Sequence, residues 1–213
     1  MTVEELHTVP ATLNGGATHN VLNAAIAVEI ANELRLGAPA KEALLRFGAD
    51  PRDNVGRLMQ YDVGGVTAVI DYAHNAQGVT ALIDATRSLP ARRRAIALGT
   101  GGDRDDVALQ GIAQAAADSG IIDLFIAKEM PKFLRGRDPG SISGVLLDAL
   151  RAAGVAESRL ASADDDLSAA RLALSWARDG DLLLLATHDE RDAVLALVAK
   201  CVQTGWKASQ PLP

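Results

Sequence analysis

Four short apolar runs limit this chain to few folds. "VTAVIDYA" starts at residue 66, "RRAIALG" at 93, "IIDLFIAK" at 121 and "DLLLLATH" at 181. Each is nearly continuous in apolar residues, as expected of strands covered on both faces. Helix-length segments separate them, at about 76–88, 106–119, 141–153 and 166–177, and another follows at 190–203. A weak strand is expected near Arg159–Ser162. Ahead of the first run, "RLMQYDV" and the turn "GG" read as the other half of a hairpin. Strand–helix alternation of this kind predicts an α/β fold with a mostly parallel sheet and helices on both faces.

A short helical segment precedes the sheet. From His19 the pattern is helical, with Leu22, Ile26, Ile30 and Leu34 recurring every four residues until Gly37 and Pro39 stop it. "AKEALLRFG" reads as a second helix and "ADPRDNVG" as a loop. Such a segment is too small to bury a core alone. The expected organisation is a helical segment at 1–54, an α/β domain at 55–203 and a tail, "TGWKASQPLP", at 204–213. Aromatic residues are 3% of the 213, so the core must be built from Leu, Val, Ile and Ala.

A net charge of −6 argues against a nucleic-acid or anionic-membrane partner. One cysteine, Cys201, excludes an internal disulfide and reads as core. "MTVEELHTVP" has no signal-peptide pattern, and the apolar runs are too short to span a bilayer. The expectation is a soluble, cytoplasmic protein. The four histidines lack metal-ligand spacing, so no metal site is expected.

In an open parallel sheet, ligands bind beyond the carboxyl ends of the strands. Polar residues gather at those ends here. The first run ends in Asp71-Tyr72-Ala73-His74-Asn75, the second in Gly99-Thr100-Gly101-Gly102-Asp103-Arg104-Asp105, the third in Lys128-Glu129, and the last in His188-Asp189-Glu190-Arg191. The fold rule puts all four on one rim. Each has a bland reading as well. Asp71 can cap a helix and His74 can be solvated. "GTGGDRDD" can be a loop with an Asp cap, Lys128 and Glu129 an exposed pair, and Arg135 and Arg137 surface charge. Asp164-Asp165-Asp166 reads as a helix N-terminal cluster matching the dipole.

His19, Asn20 and Asn23 form a second constellation, brought to one helix face by spacings of three and four. An Asn amide both donates and accepts, as pairing with an adenine edge requires. Capping by Thr18 or Asn20, with the others solvated, is the equally weighted alternative.

"HNVLNA" (19–24), "GR" (56–57), "DYAHN" (71–75) and "GGDRD" (101–105), in this order and at these distances, resemble the Mur ligase family. The resemblance covers most of the chain, and "AKEMPKFLRGRDPG" with "ATHDERDAVLAL" looks most like the cyanophycin synthetase branch. It implies an ATP-dependent amide ligase. A carboxylate attacks the γ-phosphate to give an acyl phosphate and ADP, and an amine then displaces phosphate. Residues 55–203 resemble the family's carboxyl-terminal Rossmann-like domain, and 1–50 the final segment of its central ATPase domain.

Carried over by matched motif, the resemblance implies that His19, Asn20 and Asn23 sit by the adenine. Arg57 and Asp71 reach the ribose and phosphates, and His74 faces the reacting phosphate. Gly102, Asp103, Arg104, Lys128, Glu129, Arg135 and Arg137 line the approach of an incoming amino acid, taken as arginine, toward a carboxylate-bearing acceptor. "THDE" stands where relatives have a KGHE-like sequence, which leaves the roles of His188 and Glu190 open. Ala76 stands where relatives often have proline, which is expected to loosen the following helix start.

No GxxxxGK[ST] loop occurs within these 213 residues. The family's phosphate cradle and Mg2+ ligands are therefore expected on a P-loop-containing polypeptide that completes the site, or through a homo-oligomer. Alone, this chain is expected to be inactive. The alternative is a Rossmann-like nucleotide- or partner-binding module without catalysis.

Overall fold

The computed structural model describes all 213 residues. Three helices come first: α1 (Val3–His7), α2 (Thr18–Glu33) and α3 (Gly37–Leu44). The hairpin follows as β1 (Met59–Val63) and β2 (Val66–Asp71), paired antiparallel. Gly64 and Gly65 join them with φ of 63° and 91°. Two consecutive positive φ values are what a two-residue turn with the right twist requires, and glycine adopts them without a Cβ clash.

The rest alternates: α4 (Ala76–Thr86), β3 (Arg94–Leu98), α5 (Asp106–Asp118), β4 (Leu124–Lys128), α6 (Ser141–Ala152), β5 (Leu160–Ala163), α7 (Asp166–Trp176), β6 (Leu182–Ala186) and α8 (Arg191–Gln203). The sheet order is β1-β2-β6-β3-β4-β5, parallel except for β1. This is the α/β, Rossmann-like arrangement with a preceding helical segment that the sequence predicts. No helix is long and apolar enough to cross a membrane.

Residue parity divides the sheet into two faces. Val69, Ile96, Leu98, Phe125, Leu182 and Leu184 pack against α4, α5 and α6. Ala68, Ile70, Ala95, Ile126, Leu183 and Leu185 pack against α7 and α8. Alanines at 169, 170 and 173 let α7 approach closely. Every residue of β6 is buried, which explains its continuous leucine run. Cys201 lies in the second core, as its helix pattern implies.

The structure revises three expectations. The stripe on α2 points outward: Leu22, Ile26, Ile30 and Leu34 are 50–64% exposed, while Ala24 and Val28 face a small core with Leu6. Residues 204–213 do not hang free, because Trp206 is 4% exposed against the α8 side and Ala208 N–H donates to Gly64 O at 3.2 Å. The start of α4 is not loosened, because Asn75 Oδ1 accepts from Gly78 N–H at 2.7 Å and caps it.

Trp206→Ala is therefore expected to cost about 3–5 kcal/mol, as for a buried aromatic. Ile30→Ser, at an exposed position, should stay within about 0.5 kcal/mol. Urea unfolding of the two variants measures both; equal midpoints would contradict this packing.

Candidate functional site

β6 lies between β2 and β3, yet the helix that follows it covers the opposite face from those following its neighbours. Connections leaving in opposite directions open a crevice at the carboxyl ends of these strands. Two neighbouring clefts occupy this rim and share Tyr72 and His74.

The first cleft, about 470 Å³, runs between the start of α2 and the end of β2. It is lined by His19, Asn20, Asn23, Arg57, Asp71 and His74, so two separate segments bring these residues together. His19 and Asn23 are exposed on α2. Neither Thr18 nor Asn20 caps that helix. Its cap position is Ala17, and Gly16 O and Ala17 O take the N–H groups of Thr18 and Asn20. Asn20 Nδ2 donates to Ala11 O at 2.7 Å, so that amide is partly committed to holding the preceding loop.

Asp71 is 8% exposed and does not cap α4. Its Oδ2 accepts from Leu58 N–H at 2.9 Å, tying the carboxylate to the start of the hairpin. Burial raises its pKa; the Leu58 N–H and the Arg57 charge oppose that rise without cancelling it. Arg57 is exposed and sits over the Tyr72 ring, 5.2 Å from its centroid, which holds the guanidinium on the cleft wall. His74 Nδ1 is 3.1 Å from Tyr72 O. A carbonyl only accepts, so Nδ1 carries a proton, and in the neutral ring Nε2 keeps its lone pair.

The second cleft, about 300 Å³, carries Asp103, Arg104 and Arg135 beside Tyr72, His74 and His188. Gly102 lies below this surface, its N–H donating to Phe133 O at 2.8 Å. A Cβ there would fall 2.0 Å from Leu134 O, so the glycine serves close packing. Asp105 Oδ1 accepts from Ala108 N–H at 2.8 Å and caps α5. Arg137 braces the same loop, donating to Gly102 O, Arg104 O and Asp106 Oδ1.

Lys128 and Glu129 are not an exposed pair. Lys128 is 0% exposed, and Glu129 is buried with Oε1 accepting from Ser143 N–H at 2.7 Å. Neither lines a cleft. Lys128 Nζ stands 2.5 Å from Asp166 Oδ1 and 3.0 Å from His188 Nδ1. Asp166 Oδ2 accepts the N–H groups of His188, Asp189 and Glu190 at 2.8–2.9 Å. Burial pushes the Asp166 carboxyl up, but Lys128 and those N–H groups outweigh it and hold it below its usual value. Burial lowers the Lys128 ammonium, with Asp166 opposing. Losing one partner of such a pair costs about 3–5 kcal/mol, because the other is left charged and buried.

Sequence reasoning missed Asp166 as a partner. Asp165 does the capping, with Oδ1 accepting from Ser168 N–H at 2.6 Å, and Asp166 turns inward. The available signal was parity: Lys128 continues the Leu124–Ile126 face, which packs on α7.

The sequence profile described as "Mur ligase, glutamate ligase domain" matches residues 56–188, from just before β1 to just past β6. The chain is 28% identical over 191 residues to the UDP-N-acetylmuramoyl-L-alanyl-D-glutamate--2,6-diaminopimelate ligase of Corynebacterium efficiens, covering 87% of this chain and 35% of that protein. It is 30% identical over 145 residues to the cyanophycin synthetase of Trichormus variabilis, covering 68% of this chain and 16% of that protein. The chain thus spans about a third or less of these curated relatives. The two branches stand level, so the expected closeness to cyanophycin synthetase is not favoured over the peptidoglycan ligases.

Among solved structures, the UDP-N-acetylmuramate-alanine ligase of Thermotoga maritima shares the fold with a TM-score of 0.64 at 16% identity, over 87% of this chain and 38% of that one. The folylpolyglutamate synthase of the same organism gives 0.53 at 18% identity, over 88% and 39%. With a profile match that runs through the whole sheet from β1 to β6, the chain belongs to the Mur ligase family.

Proposed function

We propose that this chain forms the nucleotide-closing part of an ATP-dependent ligase that joins an amino acid to a carboxylate. One observation carries the reading: a single cleft gathers Asn23 from the helical segment with Arg57, Asp71 and His74 from the sheet rim. The residue types fit a nucleotide. The Asn23 amide suits an adenine edge, a carboxylate such as Asp71 accepts from ribose hydroxyls, and the Arg57 fork suits phosphate. ATP would supply the phosphoryl group that activates the acceptor carboxylate. His74 would face the transferring phosphate with the side of its ring that Tyr72 O leaves free.

The second cleft suits the incoming amino acid. Arg104 and Arg135 would take its carboxylate and Asp103 its cationic groups. Arginine as that amino acid, and a polymer carboxylate as acceptor, rest on the resemblance of the "LRGR" and "DERDAV" segments to the cyanophycin branch. Lys128, Glu129, Gly102 and Arg137 would act behind this surface by holding its loops. An ATP-consuming ligase of this kind works in the cytoplasm.

The phosphate cradle and Mg2+ ligands would come from a P-loop-bearing stretch of polypeptide, in the same chain or another. Phosphoryl transfer depends on exactly such fixed charges around the phosphates. No group of three His, Cys, Asp or Glu side chains in this chain is arranged to hold a metal ion. The exposed Leu22–Ile26–Ile30–Leu34 stripe supplies a docking face for that stretch.

Three outcomes are expected. Calorimetric titration should detect ATP binding to residues 1–213, with Asp71→Ala or Arg57→Ala weakening it at least about tenfold, roughly 1.4 kcal/mol. Unchanged affinity in both variants would sink the nucleotide reading. With Mg2+, arginine and an aspartyl-arginine polymer, the chain alone should release no ADP above background. Adding a P-loop-bearing segment of a family member should restore release, and Ile30→Asp should abolish that restoration while leaving the circular dichroism spectrum unchanged.

A further inference from the structure

Behind the rim, the buried Lys128 and Asp166 meet His188, which is partly buried and reaches the wall of the second cleft. They come from the end of β4, the start of α7 and the loop after β6. A lysine ammonium can only donate, so His188 Nδ1, 3.0 Å from Nζ, must accept. The ring proton of neutral His188 is therefore on Nε2, which donates to Ala73 O at 3.1 Å. Ala73 is the centre of the Asp71–Asn75 turn. The Tyr72 ring meets the His188 ring edge-on at a centroid distance of 5.0 Å and lies 5.3 Å from His74.

We propose that Lys128 is a positioning residue: it fixes His188 in the Nε2–H tautomer, and through the Ala73 carbonyl it holds Asp71, Tyr72 and His74 against the cleft. The proposal rests on the preceding reading only in treating that cleft as a ligand site. A buried ion pair is a weak source of stability compared with an apolar isostere, so stability alone is a poor reason for this lysine. Its geometry gives a better one. Lys128 supplies the only hydrogen-bond donor that His188 Nδ1 has in the fold, while Asp166 fixes the backbone of His188.

The titratable groups acting on His188 are Lys128 from β4, Asp166 from α7 and His74 across the Tyr72 ring, and it shares its cleft with Asp103, Arg104 and Arg135. Burial and the Lys128 charge depress its pKa to about 3. The unfolded chain takes up this proton near 6.5, so it binds more protons than the fold between these values. Stability is then fully present above about pH 6.5 and is lost progressively as pH falls toward 3.

Long-range nitrogen–proton NMR on the 213-residue chain tests the assignment. Wild-type His188 should show the Nε2–H pattern and stay neutral down to pH 5. Lys128→Met should raise the pKa of His188 above its wild-type value and broaden the amides of residues 72–75. Lys128→Met with Asp166→Asn removes both charges but keeps an acceptor for the three N–H groups. That double variant should fold, show a mixed His188 tautomer, and bind ATP at least tenfold more weakly. A charged or Nδ1–H wild-type His188 would overturn the proposal, as would a double variant with an unchanged tautomer and sharp 72–75 amides. If no form binds ATP but the tautomer results hold, the positioning role stands and the nucleotide reading fails.

Discussion

β6 pairs with β2 on one side and β3 on the other, and the site depends on that insertion. The chain crosses from β5 at the sheet edge, by way of α7, back to the middle before this strand can form. Only then do the end of β2, the loop after β3 and the loop after β6 stand side by side. Five consecutive buried residues, four of them leucine, fix β6 there. Fully burying each such side chain is worth about 1.5–3 kcal/mol. The apolar centre of the sheet thus positions a polar rim that gains little stability of its own.

That rim contains two kinds of polar group. Arg57, Asp103, Arg104 and Arg135 are exposed on the cleft walls and keep their hydration until a ligand replaces it. Lys128, Asp166 and Glu129 lie behind those walls and have exchanged water for fixed partners. Asp71 stands between, mostly buried yet lining the cleft. The division is physically useful: exposed charge can move to meet a ligand, while buried charge holds the loops still.

Much of the fold could be read from residue pattern. Continuous apolar runs gave the parallel strands, and the Gly64–Gly65 pair gave the hairpin turn. The rim followed from the strand-end rule, and the Asn23, Arg57 and Asp71 grouping from motif order. Three features were hidden for physical reasons. The α2 stripe is periodic, but periodicity cannot say which way a stripe faces, and this one faces outward. "KE" at 128–129 looks solvated until the register aligns Lys128 with α7. "TGWKASQPLP" is tail-like in composition, but one tryptophan suffices to dock it.

The central claim is that the cleft between α2 and β2 is a nucleotide site made by both segments. Amide shift mapping during titration with ATP measures this most directly. Shifts should appear together at residues 19–23, 57–58 and 71–75. They should be absent from the groove between α4 and α5, around Thr80 and Ser119. Shifts confined to that groove, or none at millimolar nucleotide, would contradict the account.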